Sequence, residues 1–198
     1  MEKASDEELL AKFLAGERTA FEELARRYEK RLVRFLMRYI RDVYMAEEIF
    51  QETFVRVYRK ASSFQEGRKF RTWLYTIALN LARTEMSKLK KRPPAKSLDA
   101  VVGSGDSDRE STLSRLITSE EHGPREKAAL KEAGELIEKA LMELSERHRE
   151  VFVLYHYEHL NYEEIAETVG RPVGTVKSQM HYALKDLRAK LERTGLSF

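Results

Sequence analysis

The sequence predicts an all-α protein built as two small helical domains joined by a flexible acidic linker. Two observations carry this. Apolar residues recur at three- and four-residue spacing from Leu9 to Leu81 and again from Leu136 to Leu191, the period of helices that bury one face. Between them lies a stretch rich in Ser, Gly and Asp, including Gly103-Ser-Gly-Asp-Ser-Asp108, interrupted only by a short apolar patch at Leu113, Leu116 and Ile117. The boundaries read from this are a first domain over 1–96, a linker over 97–126 and a second domain over 127–198.

Taking the elements in order, Ser5 followed by Glu8 is a capping-box pattern that opens a short helix with Leu9, Leu10, Phe13 and Leu14, closed by Gly16. A second helix runs from near Thr19 to about Ile40. Phe21, Leu24, Tyr28, Leu32, Phe35, Leu36 and Tyr39 point inward, and Arg26, Arg27, Lys30, Arg34 and Arg38 form a solvated far face. The third, Tyr44 to Lys60, buries Ala46, Ile49, Phe50, Thr53, Phe54 and Val57. Its other face shows Glu48, Gln51, Glu52, Val55 and Arg59, which periodicity alone reads as ordinary surface with docking to a basic helix as the alternative. Ser62 to Gly67 breaks the chain.

The fourth helix starts at Phe70. Phe70, Trp73, Leu74, Ile77, Ala78 and Leu81 make its core stripe, while Arg71, Tyr75, Arg83 and Lys90, with Leu79 and Met86, share the far side. Cations mixed with rings suit a phosphate backbone and unstacked bases, although a buried Trp on a helix with a solvated basic end fits the same pattern. Pro93 and Pro94 end this helix, because a proline nitrogen has no proton for the helical ladder.

In the second domain a helix starts at Pro124 and continues from Ala128 to Leu144. Ser145 caps the next, Glu146 to Tyr157, with Val151, Phe152, Leu154 and Tyr155 as its apolar residues. The segment Tyr162 to Met180 has the layout of a helix-turn-helix. Ile165 and Ala166 face inward, Gly170 lies in the turn, and Pro172 begins a last helix that reaches about Arg193. Val176, Met180, Ala183, Leu184, Leu187 and Leu191 are its core positions. Thr175, Lys177, Ser178, His181, Lys185 and Arg188 face outward, the mixture of short donors and long cations that a major-groove reader needs.

The formal net charge of +3 hides a strong segregation. Residues 1–67 balance at zero, 68–92 carry +7, 97–126 carry −4, 127–170 carry −5 and 171–198 carry +4. Two basic modules separated by acidic sequence are the footprint of a protein that touches a polyanion in two places. There is no cysteine, which excludes a disulfide framework and a thiolate metal site and fits a reducing compartment. No Gly-rich phosphate loop and no isolated carboxylate pair suggests catalysis. His148, His156 and His159 lack metal-site spacing, so no metal and no cofactor is expected. The acidic start of the chain predicts no signal peptide, and no apolar run approaches the ~18 residues of a membrane span, so a cytoplasmic protein without membrane insertion is expected.

Several blocks together resemble one family. Ala46-Glu-Glu-Ile-Phe-Gln51-Glu52-Thr53-Phe54, Phe64-Gln-Glu-Gly67, Phe70-Arg-Thr-Trp73-Leu74, Ile77-Ala78-Leu-Asn80, and Tyr162-Glu-Glu-Ile-Ala166 to Val173-Gly-Thr-Val-Lys177-Ser178 resemble bacterial RNA polymerase sigma factors. The match is to the extracytoplasmic-function branch of the sigma-70 family, which keeps regions two and four. It spans nearly all the chain outside the linker, in the family's order.

The resemblance implies a non-enzymatic protein that directs core RNA polymerase to promoter DNA. Glu48, Gln51, Glu52, Val55 and Arg59 would dock on the polymerase β′ clamp helices, overturning the ordinary-surface reading of that face. Arg71, Trp73, Tyr75, Asn80, Arg83 and Lys88 would recognise and melt the −10 element, with a flipped base held near the loop before Phe70. Arg171, Thr175, Lys177, Ser178, His181 and Lys185 would read the −35 element from a domain seated on the β flap. The linker would thread toward the polymerase active site, and a cognate anti-sigma factor is implied as a partner. Two departures stand out. Thr84 replaces an acidic residue common in the family, and Lys177-Ser-Gln179-Met180-His181-Tyr182 lacks two common arginines, so relatives do not give the promoter sequence. The rival reading is a stand-alone helix-turn-helix transcriptional regulator, which binds duplex DNA without polymerase.

Overall fold

The computed structural model describes residues 4–65, 67–91 and 134–194. The expected Pro93–Pro94 stop, the acidic linker and the helix start at Pro124 lie outside the described residues.

Local signals set most helix ends. Ser5 Oγ accepts from the Glu8 amide at 3.1 Å while the Glu8 carboxylate accepts from the Ser5 amide at 2.7 Å, so α1 (Asp6–Leu14) opens with a complete capping box. Gly16, at φ 104, turns the chain where a side chain would strain it, and α2 (Arg18–Ile40) follows. Arg41 ends α2 in the left-handed region, and Asp42 caps α3 (Val43–Lys60) by accepting from the Met45 amide at 3.0 Å. After a short 3₁₀ turn comes α4 (Phe70–Lys91). The Glu7 carboxylate reaches across from α1 and accepts from the Phe70 amide at 2.7 Å, satisfying one of the orphan donors at the start of α4.

Leu24, Leu32, Phe35, Leu36, Phe70, Leu74 and Ala78 are fully buried and form the centre of this first bundle, with Phe35 edge-on to Tyr75 at 5.0 Å between ring centroids. Phe50, Trp73 and Ile77, expected in the core, are only half-buried and pack at its margin.

The second bundle comprises α5 (helical over 134–142), α6 (Glu146–His156), α7 (Tyr162–Val169) and α8 (Val173–Glu192). Ser145 caps α6. Asn161 and Glu164 form the second capping box, and Gly170 closes α7 at φ 69, giving the tight turn into α8. Leu141, Val151, Leu154, Ile165, Val176 and Ala183 have no exposed surface. Two residues depart from expectation here. Leu184 is 45% exposed, one position past the buried Ala183, and Tyr155 is 37% exposed while its neighbour Val153 is buried in its place.

The two bundles pack directly against each other, α4 on α7 and α2 on α6. This contact decides the surroundings of the candidate site.

Candidate nucleic-acid interface

The fourth helix is buried on two sides. Its core stripe faces α2 and α3, as its period predicts. On the far side Tyr75, Leu79 and Ala82 are fully buried too: the Tyr75 ring packs on Phe35 of α2 while its hydroxyl reaches the second bundle, which packs on this helix. The sequence assigns this face to the outside, and a single helix's period cannot reveal a second partner. Tyr75 donates its hydroxyl to the Glu158 carboxylate. Burial first, and then the carboxylate beside it, push the Tyr75 phenol well above its ordinary value, so it stays a neutral donor.

The cations flanking that strip are spent on carboxylates of the second bundle. Arg83 donates to Glu150 through Nε at 2.8 Å and Nη2 at 2.7 Å. Arg71 lies 3.4 Å from Glu164, and Lys69 donates to the same carboxylate at 2.6 Å. From α2, Arg31 donates to the Glu158 carboxylate at 2.7 Å and its carbonyl at 2.8 Å. Arg38 pairs with Glu138 at 3.0 Å and lies over the Tyr157 ring at 3.9 Å, so it is not the solvated surface residue its position on α2 suggests. Arg68 meets Glu167, and Lys90 meets Glu146, nearer solvent. Every one of these pairs has its cation on the first bundle and its carboxylate on the second.

Three of the carboxylates are buried: Glu150, Glu158 and Glu164. Burial opposes ionisation of Glu150, but the Arg83 hydrogen bond and charge, together with Arg171 and the Tyr39 hydroxyl, outweigh it and hold the carboxyl below its ordinary range. Glu164 follows the same pattern. Its desolvation is outweighed by the Lys69 hydrogen bond, the Asn161 amide and Arg71. Arg149, also buried, donates to the Tyr39 carbonyl at 3.1 Å and so satisfies a last-turn carbonyl of α2 across the seam. Burial pushes its pKa down, though a guanidinium keeps its charge at neutral pH.

The remaining residues expected at the −10 element are placed differently. Trp73 is half-buried, its ring against Phe64 at 5.2 Å and Phe70 at 6.0 Å, so it joins α4 to the loop that precedes it. Asn80 is exposed, and Lys88 is exposed with Glu85 as its neighbour on the same helix at 2.6 Å.

On α8, Thr175, Lys177, Ser178, His181 and Lys185 are all exposed, on the side opposite the buried Val176, Met180 and Ala183. Ser178 donates to the Gly174 carbonyl at 3.0 Å, and Lys177 sits 5.8 Å from the Tyr162 ring centroid. Arg171, in the turn, is engaged: it donates to Gln179 at 3.0 Å and to Glu150 at 2.9 Å. Glu150 thus binds one cation from each expected DNA-contact set. On α3, Glu48, Gln51, Val55 and Arg59 are exposed, and Glu52 is half-exposed and paired with Arg56 at 2.8 Å. Tyr44 and Tyr58, which the sequence reading passed over, are exposed on the same helix at 73% and 54%. The sequence also passed over Lys69, Arg31, Glu150 and Glu158. The opposite charges of 68–92 and 127–170 are the signal that could have found them.

A two-bundle helical protein whose second half ends in a helix-turn-helix is the class this geometry defines. Residues 24–92 match the sigma-70 region 2 family and residues 140–189 match sigma-70 region 4. The chain is 32% identical over 176 residues to the ECF RNA polymerase sigma factor SigW of Bacillus subtilis (strain 168), covering 89% of this chain and 91% of that one. Its fold is similar to that of CnrH, solved in complex with the cytosolic domain of CnrY, with a TM-score of 0.68, 22% identity and coverage of 96% of this chain and 99% of that one. It is also similar to the sigma factor RpoE of Bartonella quintana, solved with the anti-sigma factor NepR, with a TM-score of 0.56, 23% identity and coverage of 81% and 89%. The chain belongs to the extracytoplasmic-function branch of the sigma-70 family of RNA polymerase sigma factors, which are promoter-directed, DNA-binding transcription proteins and not enzymes. No helix among the described residues is long and apolar enough to cross a membrane.

Proposed function

We propose that this sigma factor binds core RNA polymerase and divides promoter recognition between its two bundles. Residues 1–96 dock on the β′ clamp helices through Glu48, Gln51, Glu52, Val55 and Arg59, and open the −10 element with Arg71, Trp73, Tyr75, Asn80, Arg83 and Lys88. Residues 127–198 rest on the β flap and read the −35 element with Arg171, Thr175, Lys177, Ser178, His181 and Lys185, and the linker between them threads toward the active site. The observation that carries this is the exposed donor row of α8 over a buried opposite face, in the same chain as the ring-and-cation face of α4. A dedicated anti-sigma protein belongs to the same proposal, supported by two similar structures solved with bound partners, CnrH with the cytosolic domain of CnrY and the sigma factor RpoE with the anti-sigma factor NepR.

Run-off transcription tests it. Purified core polymerase plus this protein is expected to initiate on a responsive promoter well above core alone. Duplex binding by the protein alone, with no initiation while a control sigma initiates, would favour the stand-alone regulator instead.

A further inference from the structure

We infer that Glu7 is a positioning residue for promoter opening: reaching across from α1, its carboxylate holds the Phe70 amide and so sets where α4 starts and how its first turn, with Arg71 and Trp73, is presented to DNA. This deepens the proposed use of α4 and rests on it.

The source of the bond gives it this role. A helix start is ordinarily capped by the residue just before it, as Ser5, Asp42, Ser145 and Asn161 do in this chain. A local cap satisfies the helix end but lets helix and loop move together. The Phe70 amide donates at 2.7 Å to a side chain 63 residues earlier, on another helix, so the start of α4 is fixed relative to α1. The carboxylate also brings negative charge to the positive end of the α4 macrodipole, where Arg68, Lys69 and Arg71 add further positive charge.

Phe70 is gripped twice. Glu7 holds its amide, and the Tyr28 ring of α2 meets its ring edge-on at 5.7 Å between centroids. Both holders are braced by one acid. Asp6 accepts from the Tyr28 hydroxyl and from Arg27 Nη1 at 3.0 Å, and Arg27 also donates to the Ala4 carbonyl at 2.7 Å, so the first turn of α1 is fastened to α2. Phe70 in turn packs on Phe64 at 6.3 Å and Trp73 at 6.0 Å, joining the loop to the first turn of α4. The path from Glu7 through Phe70 to Trp73 lies wholly within the first bundle and makes no use of the second. Glu7 itself is exposed, so replacing it opens no cavity.

Three substitutions separate positioning from general stability. Glu7→Gln keeps a carbonyl acceptor at the same reach, Glu7→Asp keeps the charge but falls one methylene short, and Glu7→Ala removes both. Trp73 is the chain's single tryptophan, so its emission reports this turn without polymerase. With helix content unchanged by circular dichroism, iodide quenching of Trp73 is expected to rise about twofold or more in the Ala and Asp variants as the turn loosens, and to stay near wild type in the Gln variant. Run-off transcription with core polymerase is expected to fall about tenfold for Ala and Asp on a duplex promoter, to fall less than about threefold on the same promoter premelted, and to return to within about threefold of wild type with Gln. Wild-type quenching in the Ala variant, undiminished run-off on the duplex, equal loss on both templates, or a Gln variant as poor as Ala would each overturn the positioning role. If the Ala variant does not fold, the Asp variant decides by the same criteria. A wild-type chain that does not initiate at all counts against the promoter reading, while Trp73 quenching still decides whether Glu7 positions α4.

Discussion

Arg83 of the first bundle grips Glu150 of the second with two hydrogen bonds of 2.8 and 2.7 Å, and the same carboxylate accepts from the Tyr39 hydroxyl at 2.9 Å and from Arg171 at 2.9 Å. Four bonds converge on one side chain with almost no exposed surface. A carboxylate offers about four lone-pair sites, so Glu150 is fully used. Charge sequestered in this way ties the two bundles together through one side chain.

The closed arrangement should respond to acid. The folded-state pKa values of Glu150 and Glu164 are depressed, so their contribution is present above the unfolded value, near the ordinary 4.5, and is lost as pH falls through the folded values. The hydrodynamic radius is expected to stay constant from pH 8 to about pH 5 and to increase only below about pH 4. Expansion between pH 7 and pH 6 would contradict the assignment.

The Asn161 cap is a local test. Its side chain accepts from the Glu164 amide at 2.8 Å, and Glu164 returns a bond to the Asn161 amide at 2.9 Å. Asn161→Ala is expected to cost about 1 kcal/mol in denaturant unfolding. It should also loosen Glu164, so the chain should open at a higher pH than wild type.

Core truncation gives the scale for comparison. Leu74 is fully buried between the helices of the first bundle, and Leu74→Ala is expected to cost about 2–5 kcal/mol by urea denaturation. Val55→Ala, on the exposed face of α3, should change stability by less than about 0.5 kcal/mol while weakening core polymerase binding.

How much of this was legible beforehand differs by feature. The capping pair Ser5–Glu8 and the turn at Gly170 could be read directly, because their geometry is settled within a few residues. Tyr75 and Arg38 could not. Both stand on faces that the helical period turns outward, but their partners, Glu158 and Glu138, lie more than eighty residues away in sequence. Leu184 shows the opposite error, since its position beside Ala183 suggested a core that does not extend to it. The charge pattern held the missing information. The +7 segment and the −5 segment are each visible in the sequence, and their opposite signs mark the two sides of the seam.

The donor row of α8 predicts a salt signature. Lys177→Ala is expected to weaken duplex binding by the proposed −35 surface and to reduce the slope of log affinity against log salt by about one, the release of one counterion. An unchanged slope would remove Lys177 from the phosphate contacts.

The most direct test of the central claim, that α4 and its bracing Trp73 act in opening promoter DNA, is run-off transcription by Trp73→Ala on a duplex promoter and on the same promoter with its −10 region premelted. The predicted result is a loss of about tenfold or more on the duplex and near-normal activity on the premelted template. Equal loss on both would contradict it.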